Sequence, residues 1–264
     1  MKVFFFGNVT DLPAQLKKYC TFDEVSDIRY ADIMVVCGGD GTMTAGISAV
    51  AFAGLWELPI LGYNTGHLGF LSNDFRGPAH LAEKFAADHF PKQERSLLIA
   101  AVDDIKSGRP DYKLYAINEF AFWPKQLGRL FEVTLEMKNL EGTNKNHNLT
   151  FKGDGVIIAT TSGSTAHSLS AGGPIVAPFL DAMVITPANP FTLSSRPLVI
   201  PANTTIRVPM CENMTLAVDG NIYEPPEDCL ITIGTSAQKI NIIKYSSFVD
   251  SIQSKLGWNN HIKK

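Results

Sequence analysis

Two textures of apolar and polar positions divide this chain. Through about residue 95, short strand-like apolar runs alternate with stretches of helical spacing. Met1 to Gly7 predicts a strand built on Val3-Phe4-Phe5-Phe6, and Thr10 to Tyr19 a short helix with Thr10 or Asp11 as its cap. Asp32 to Cys37 predicts a second strand, and Met43 to Ala53, small or apolar on every side, a buried helix. Leu58 to Gly62 predicts a third strand. Pro78 to Ala87 predicts a helix with proline near its start, where the missing N–H does no harm. Strands alternating with helices predict a parallel sheet covered on both faces, with ligands beyond the carboxyl ends of its strands.

From Ser96 to about Tyr245 the pattern changes to closely spaced β runs. Leu97 to Val102, Lys113 to Ile117, Phe131 to Met137, Val156 to Thr160, Thr204 to Val208, Thr215 to Val218, Leu230 to Ile233 and Ile240 to Ile243 carry it. The polar stretch Glu141 to Asn148 reads as a hairpin tip. Many short strands between turn clusters predict a sandwich-like β domain. A last helix, Val249 to Leu256, returns to the first domain. The expected fold is therefore a Rossmann-like α/β N-terminal domain plus a mostly β C-terminal domain. The domains are residues 1–95 with 246–264, and 96–245.

Composition narrows the partners. The 264 residues are 45% hydrophobic and 19% charged, enough for a sizeable core, and net charge is −3. No lysine- or arginine-rich block favours nucleic acid or an anionic membrane surface. No apolar stretch approaches a membrane span, and the N-terminal apolar run is too short for a signal peptide. Cys20, Cys37, Cys211 and Cys229 are scattered, which fits reduced thiols in a cytoplasm. Neither they nor His67, His147 and His167 show metal-ligand spacing, so no protein metal site is expected.

The candidate chemistry starts at Cys37-Gly38-Gly39-Asp40-Gly41-Thr42, between a strand and a helix. Glycine allows close approach of a ligand, and the N–H groups opening the helix favour phosphate. A carboxylate there either holds Mg²⁺ between phosphates, takes a proton from a hydroxyl nucleophile, or is a surface residue of a plain turn. Tyr63 to Leu71 forms a second loop with spaced glycines after a strand. Asn118-Glu119, at a strand end, suits a base edge and a ribose diol, or simply a turn. Lys152-Gly153-Asp154-Gly155 leads through a buried run into Thr160 to Pro174, with seven hydroxyl side chains from Thr160 to Ser170. They predict a polar cradle for a nucleotide, with a Ser/Thr loop capping a helix as the alternative. A Ser164-His167-Asp154 hydrolase triad is rejected because no G-x-S-x-G elbow is present. Arg196 can pair with a phosphate or a carboxylate, in a proline-rich stretch otherwise suited to turns.

Together these stretches resemble the NAD kinase family. The resemblance runs through Gly38 to Thr42, Asn64 to Leu71, Asn118-Glu119, Asp154-Gly155, Thr160 to Pro174, Thr186-Pro187, Arg196 to Pro201 and Asp219-Gly220, in family order. The glycine-aspartate turn is shared with lipid kinases and phosphofructokinases. The Thr65 to Phe70 loop and the Ser162 to Ala166 cradle are more specific. The resemblance implies phosphorylation of the 2′-hydroxyl of the adenosine ribose of NAD, giving NADP, with Mg²⁺ and ATP, another triphosphate or polyphosphate. It implies Asp40 as general base and part of the binding site. Gly41, Asn118 and Glu119 would hold adenosine, beside Phe70. Ser162, Thr165 and Ala166 would line adenine, with His167, Ser168 and Leu169 in the same stretch, while Asp154 and Ser170 would reach the nicotinamide half. Lys152 would serve a neighbouring subunit's site, and Asn189 and Asn221 are further carry-overs. A homodimer or homotetramer is implied. Three positions depart from the family pattern: Thr161 replaces a proline, His167 a tyrosine and Thr44 a leucine. The rival readings are a lipid kinase, against which the polar cradle argues, and a dinucleotide sensor without turnover, against which an intact Asp40 argues.

Overall fold

The computed structural model describes residues 1–66, 69–104, 110–126, 128, 130–140, 145–226 and 228–258. His67 and Leu68 of the glycine-spaced loop, and 141–144 of the expected hairpin tip, lie outside the described residues. The chain divides into two compact units, Met1–Arg95 with Ile240–Lys264, and Ser96–Lys239.

The first unit opens with β1 (Lys2–Gly7), α1 (Leu12–Leu16), β2 (Asp23–Glu24), β3 (Ile33–Cys37), α2 (Asp40–Phe52), β4 (Ile60–Tyr63) and α3 (Pro78–Ala86). Its strands lie parallel in the order β2-β1-β3-β4. Every residue of β3 is buried, as a central parallel strand covered on both faces requires. Gly46 lets α2 lie close against that strand, since a methyl group there would stand 2.9 Å from Val36 Cγ2. The helix expected over Thr10 to Tyr19 is only one turn long. Thr10 takes a positive φ, and Asp11 makes no side-chain cap. The pair β1 and β2 adds a short strand that the apolar pattern does not announce, because both its residues are exposed acids.

The second unit is built from β5 (Lys92–Asp104), β6 (Pro110–Ala116), β7 (Glu119–Pro124), β8 (Phe131–Lys138), β9 (His147–Gly153), β10 (Gly155–Thr160) and α4 (His167–Ser170). It continues with β11 (Ala182–Ala188), β12 (Leu198–Pro201), β13 (Thr205–Pro209), β14 (Met214–Val218), β15 (Asn221–Tyr223) and β16 (Cys229–Ile243). One antiparallel sheet runs β12-β11-β10-β7-β14-β15. Opposite it, β8 pairs with β9 and β13, and β13 with β16. Strand β8 alternates buried and part-exposed positions, the mark of a sheet with one face on a core. Phe120, Phe122, Val133, Leu135, Ile158 and Ile231 belong to that core.

The end of β16 returns to the first unit, where Ile242 pairs with Ile60 in parallel. It leads into α5 (Phe248–Leu256), which Ser247 and Asp250 open with a capping box and Gly257 closes at φ 66°. The molecule is thus an α/β unit with a parallel sheet and a mostly antiparallel β unit, with a C-terminal helix in the first. No helix among the described residues is long and apolar enough to cross a membrane.

Candidate active site

Asp40 is the first residue of α2, directly after the glycine turn that ends β3. Its carboxylate receives three backbone N–H groups from one loop. Phe70 donates to Oδ2 at 2.5 Å, and Leu71 and Ser72 donate to Oδ1 at 3.1 and 3.4 Å. That close approach explains Gly69, where a methyl group would stand 1.6 Å from Asp40 Oδ1. It also joins the two glycine loops, which the sequence, by placing both after parallel strands, expects along one sheet edge. Gly38 is required in the same way, since a methyl group there would meet Thr42 Oγ1 at 2.2 Å. Space is open beside Gly41, so a ligand can approach the start of α2. A cavity of about 160 Å³, lined by Asn8, Thr10, Gln15, Cys37, Tyr63 and Thr65, sits at the carboxyl ends of β1, β3 and β4.

The C-terminal segment supports this loop. Asn73 is buried, donates from Nδ2 to Ile243 O at 2.8 Å, and accepts the Tyr245 N–H on Oδ1 at 3.0 Å. Buried Lys244 donates from Nζ to the carbonyl of Ser72. Lys255, on α5, places its ammonium 3.7 Å from the centre of the Phe70 ring. Burial pushes the amines of Lys244 and Lys255 down to about 8, while the charge of Asp40 opposes the shift in both.

In the second unit three neighbouring strands deliver one polar edge. Strand register sets Ala159 opposite Glu119, and Val218 opposite Phe120. The ends of β10 and β14 therefore flank the start of β7. Asp219 follows β14 with φ 47° and takes the N–H groups of Ile117, Asn118 and Glu119 at 2.9, 2.8 and 3.0 Å. This clamp corrects the expectation that Asn118-Glu119 ends a strand. Strand β6 stops at Ala116, the carboxylate collects the freed donors, and Glu119 begins β7. Glu119 is 2% exposed, with Oε1 2.8 Å from His167 Nδ1 and Oε2 without a hydrogen-bond partner among the described residues. Burial and then the Asp219 charge push its carboxyl up to about 8. Burial likewise raises the Asp219 carboxyl, against the lowering effect of its three N–H donors.

The hydroxyls of the predicted cradle are mostly engaged internally. Thr160 donates to Ile117 O at 2.5 Å, Ser164 to Thr161 O at 2.7 Å, and Thr165 to Ser162 O at 3.0 Å. Ser168 pairs with Thr186 at 2.8 Å. They shape the loop, and Ser162 alone of these has a buried hydroxyl without a partner among the described residues. Gly163 packs on Asn118, where a methyl group would stand 2.1 Å from the carbonyl oxygen. Ala166 caps α4, with Leu169 and Ser170 in that turn.

The structure thus brings Asn118, Glu119, Ser162, Thr165 and His167 around one sheet edge, and Phe70 beside Asp40. Asp154 and Asn189 are joined separately, Asn189 Nδ2 donating to Asp154 Oδ2 at 2.8 Å. Lys152 is exposed and paired across strands with Glu132 at 2.7 Å. Asn221 lies exposed on β15. Asp219, Ser72, Lys244 and Lys255 were not singled out as site residues from the sequence. Only Asp219-Gly220 left a signal there, as one of the stretches that carry the family resemblance.

A strand-to-helix glycine turn with a clamped carboxylate, next in sequence to a β unit carrying a polar cradle, defines a nucleotide-handling kinase. Residues 16–90 match the model of the ATP-NAD kinase N-terminal domain, and residues 118–245 that of the ATP-NAD kinase C-terminal domain. The NAD kinase of Erwinia tasmaniensis is 36% identical over 244 residues, 89% of this chain and 79% of that protein. The NAD kinase of Bacteroides fragilis is 33% identical over 257 residues, 94% and 83% respectively. Among solved structures, yeast NADH kinase complexed with NADH has the same fold, with a TM-score of 0.80 at 22% identity over 98% of this chain and 88% of that one. An NAD kinase from Archaeoglobus fulgidus in complex with ATP superposes with a TM-score of 0.73 at 24% identity, over 97% and 98%. The chain belongs to the NAD kinase family.

Proposed function

We propose that this protein transfers the γ-phosphoryl group of ATP to the 2′-hydroxyl of the adenosine ribose of NAD, giving NADP and ADP. The clamp on Asp40 carries the reading. A ribose hydroxyl is a weak nucleophile, and a fixed carboxylate can accept its proton as the new O–P bond forms and the bond to ADP breaks. Three backbone N–H groups fix the Asp40 oxygens in this way. Asn118 and Glu119 bind the adenosine, Ser162, Thr165, Ala166 and His167 line the base, and Asp154 with Asn189 serves the nicotinamide half. Gly41 and Phe70 stand beside Asp40 in the first unit, while Ser168 and Leu169 shape the cradle of the second unit, with Ser170 toward the nicotinamide half.

Among the described residues no three His, Cys, Asp or Glu side chains gather to hold a metal. With the phosphate donor, Mg²⁺ would neutralise charge on the transferring group. Exposed Phe179, Phe191 and Leu193 support assembly as a homodimer or homotetramer, with Lys152, whose carbonyl accepts the Phe191 N–H, beside such a contact. The free cysteines support a reducing, cytoplasmic setting.

The test is a coupled assay with NAD, ATP and Mg²⁺, read by an NADP-specific dehydrogenase. Magnesium-dependent NADP formation is expected. Asp40→Asn should lower turnover by about 10²–10⁴-fold while calorimetry still detects NAD binding. No NADP with ATP, other triphosphates or polyphosphate overturns the proposal, and parental turnover in Asp40→Asn removes the base assignment.

A further inference from the structure

We infer that Lys255 is a positioning residue for Asp40, acting through Phe70, so that the C-terminal helix is part of the catalytic apparatus. The inference rests on the reading of Asp40 as general base. Its ground is a chain of contacts. The Lys255 ammonium lies 3.7 Å from the Phe70 ring centre, and the Phe70 N–H donates to Asp40 Oδ2 with 2.5 Å between nitrogen and oxygen. The nitrogen is buried and makes no hydrogen bond among the described residues. An ammonium out of water with no acceptor is unfavourable, and a desolvated aromatic face offsets part of that loss. Its place in the last turn of α5 also suits a cation, but the same holds for an exposed lysine and does not explain burial.

Lys244 acts in parallel at the other end of the loop. It holds the carbonyl of Ser72, whose own N–H points to Asp40. The two lysines therefore contact the first and last of the three residues whose N–H groups orient the carboxylate, Lys255 at the Phe70 ring and Lys244 at the Ser72 carbonyl, and Asn73 ties the same loop to the 243–245 backbone. Capping at Ser247 and the left-handed Gly257 set the start and end of α5, which determines where Lys255 falls. A loop held only by its own backbone would let the carboxylate drift, and in a proton-accepting group drift of an ångström is expensive in rate.

The pH consequence follows from the groups around Lys255. Asp40 favours its charge and Lys244 opposes it, while Arg95 opposes the charge of Lys244. As pH rises through about 8 both amines lose their protons, and the grip on the loop weakens. An arginine at 255 keeps its charge throughout that range.

The experiment uses the full chain and the coupled assay. Lys255→Met keeps the apolar stem and removes the charge, and Lys255→Arg restores it. Lys255→Met is expected to lower kcat by about 10- to 100-fold with KM for NAD changed less than about 2-fold. Lys255→Arg should recover most of that rate and move the alkaline fall in activity to higher pH, leaving the part due to Lys244. A parental kcat in Lys255→Met overturns the inference. So does an equal loss in both variants accompanied by a lowered Tm, which is the mark of packing alone. Asp40→Asn is measured in parallel. If it turns over like the parent, the base reading fails. If it is inactive while Lys255→Met is fully active, only the positioning role fails.

Discussion

Asp40 in the first unit and Asp219 in the second are held by the same device, three consecutive backbone N–H groups on one carboxylate. Their company differs. Asp40 opens a helix and has two ammonium groups in its field, those of Lys244 and Lys255. Asp219 stands beside a second acid, Glu119, and burial raises its carboxyl despite its donors. The first arrangement leaves a charged, oriented oxygen at an open turn. The second ties two strand ends together, beside an acid whose carboxyl burial, and then the Asp219 charge, pushes up to about 8. A backbone clamp therefore orients a carboxylate in both places, and the surrounding charges decide what that carboxylate can do.

Substitutions sharpen this contrast. The loss of about 10²–10⁴-fold in turnover expected for Asp40→Asn is the largest effect, and the variant should melt somewhat below the parent, since its NH₂ replaces one accepting oxygen. Asp219→Ala leaves three N–H groups without their acceptor and should lower unfolding free energy by about 2–4 kcal/mol in urea denaturation. An Asp219→Ala protein with parental stability and Asp40→Asn-like turnover would mean the two clamps do the same work. Gly69→Ala tests orientation without touching the carboxylate. Its methyl group would stand 1.6 Å from Asp40 Oδ1, and displacement on that scale should lower kcat by about 10²-fold. An unchanged kcat would show that the position of Asp40 is not critical.

The smallest effect concerns Glu119. Its carboxyl holds a proton up to about 8 in the folded protein, against an ordinary 4.5. Between these values the folded state binds more protons than the unfolded chain, so stability is greatest below the lower value and declines as pH rises through the window. The parent should therefore lose Tm from about pH 4.5 to about 8, and Glu119→Gln, neutral throughout, should flatten that slope. An unaltered slope in Glu119→Gln would assign the decline to another group.

Much of the first unit is legible along the chain because its determinants are local. The apolar run before Cys37, the glycines around Asp40 and the helical spacing after it are contiguous. The candidate cradle of the second unit was visible as a hydroxyl-rich loop, but the direction of those hydroxyls was not. Thr160, Ser164 and Ser168 face protein acceptors or partners, because a tight loop must satisfy its own buried carbonyls first. Glu119 reads as the end of a strand until Asp219, a hundred residues away, is known to collect the N–H groups before it.

By itself, then, the amino-acid order determined the succession of elements, the candidate base Asp40 and the two glycine loops, since each depends on periodicity or on glycine at a neighbouring position. Tertiary structure alone decided that those loops meet through Gly69, that Asp219 clamps Asn118-Glu119, and that Lys244 and Lys255 grip the loop around Asp40. The reason is physical. Strand register and helix docking join residues far apart in the chain, and no local propensity encodes which distant backbone donor a carboxylate will find.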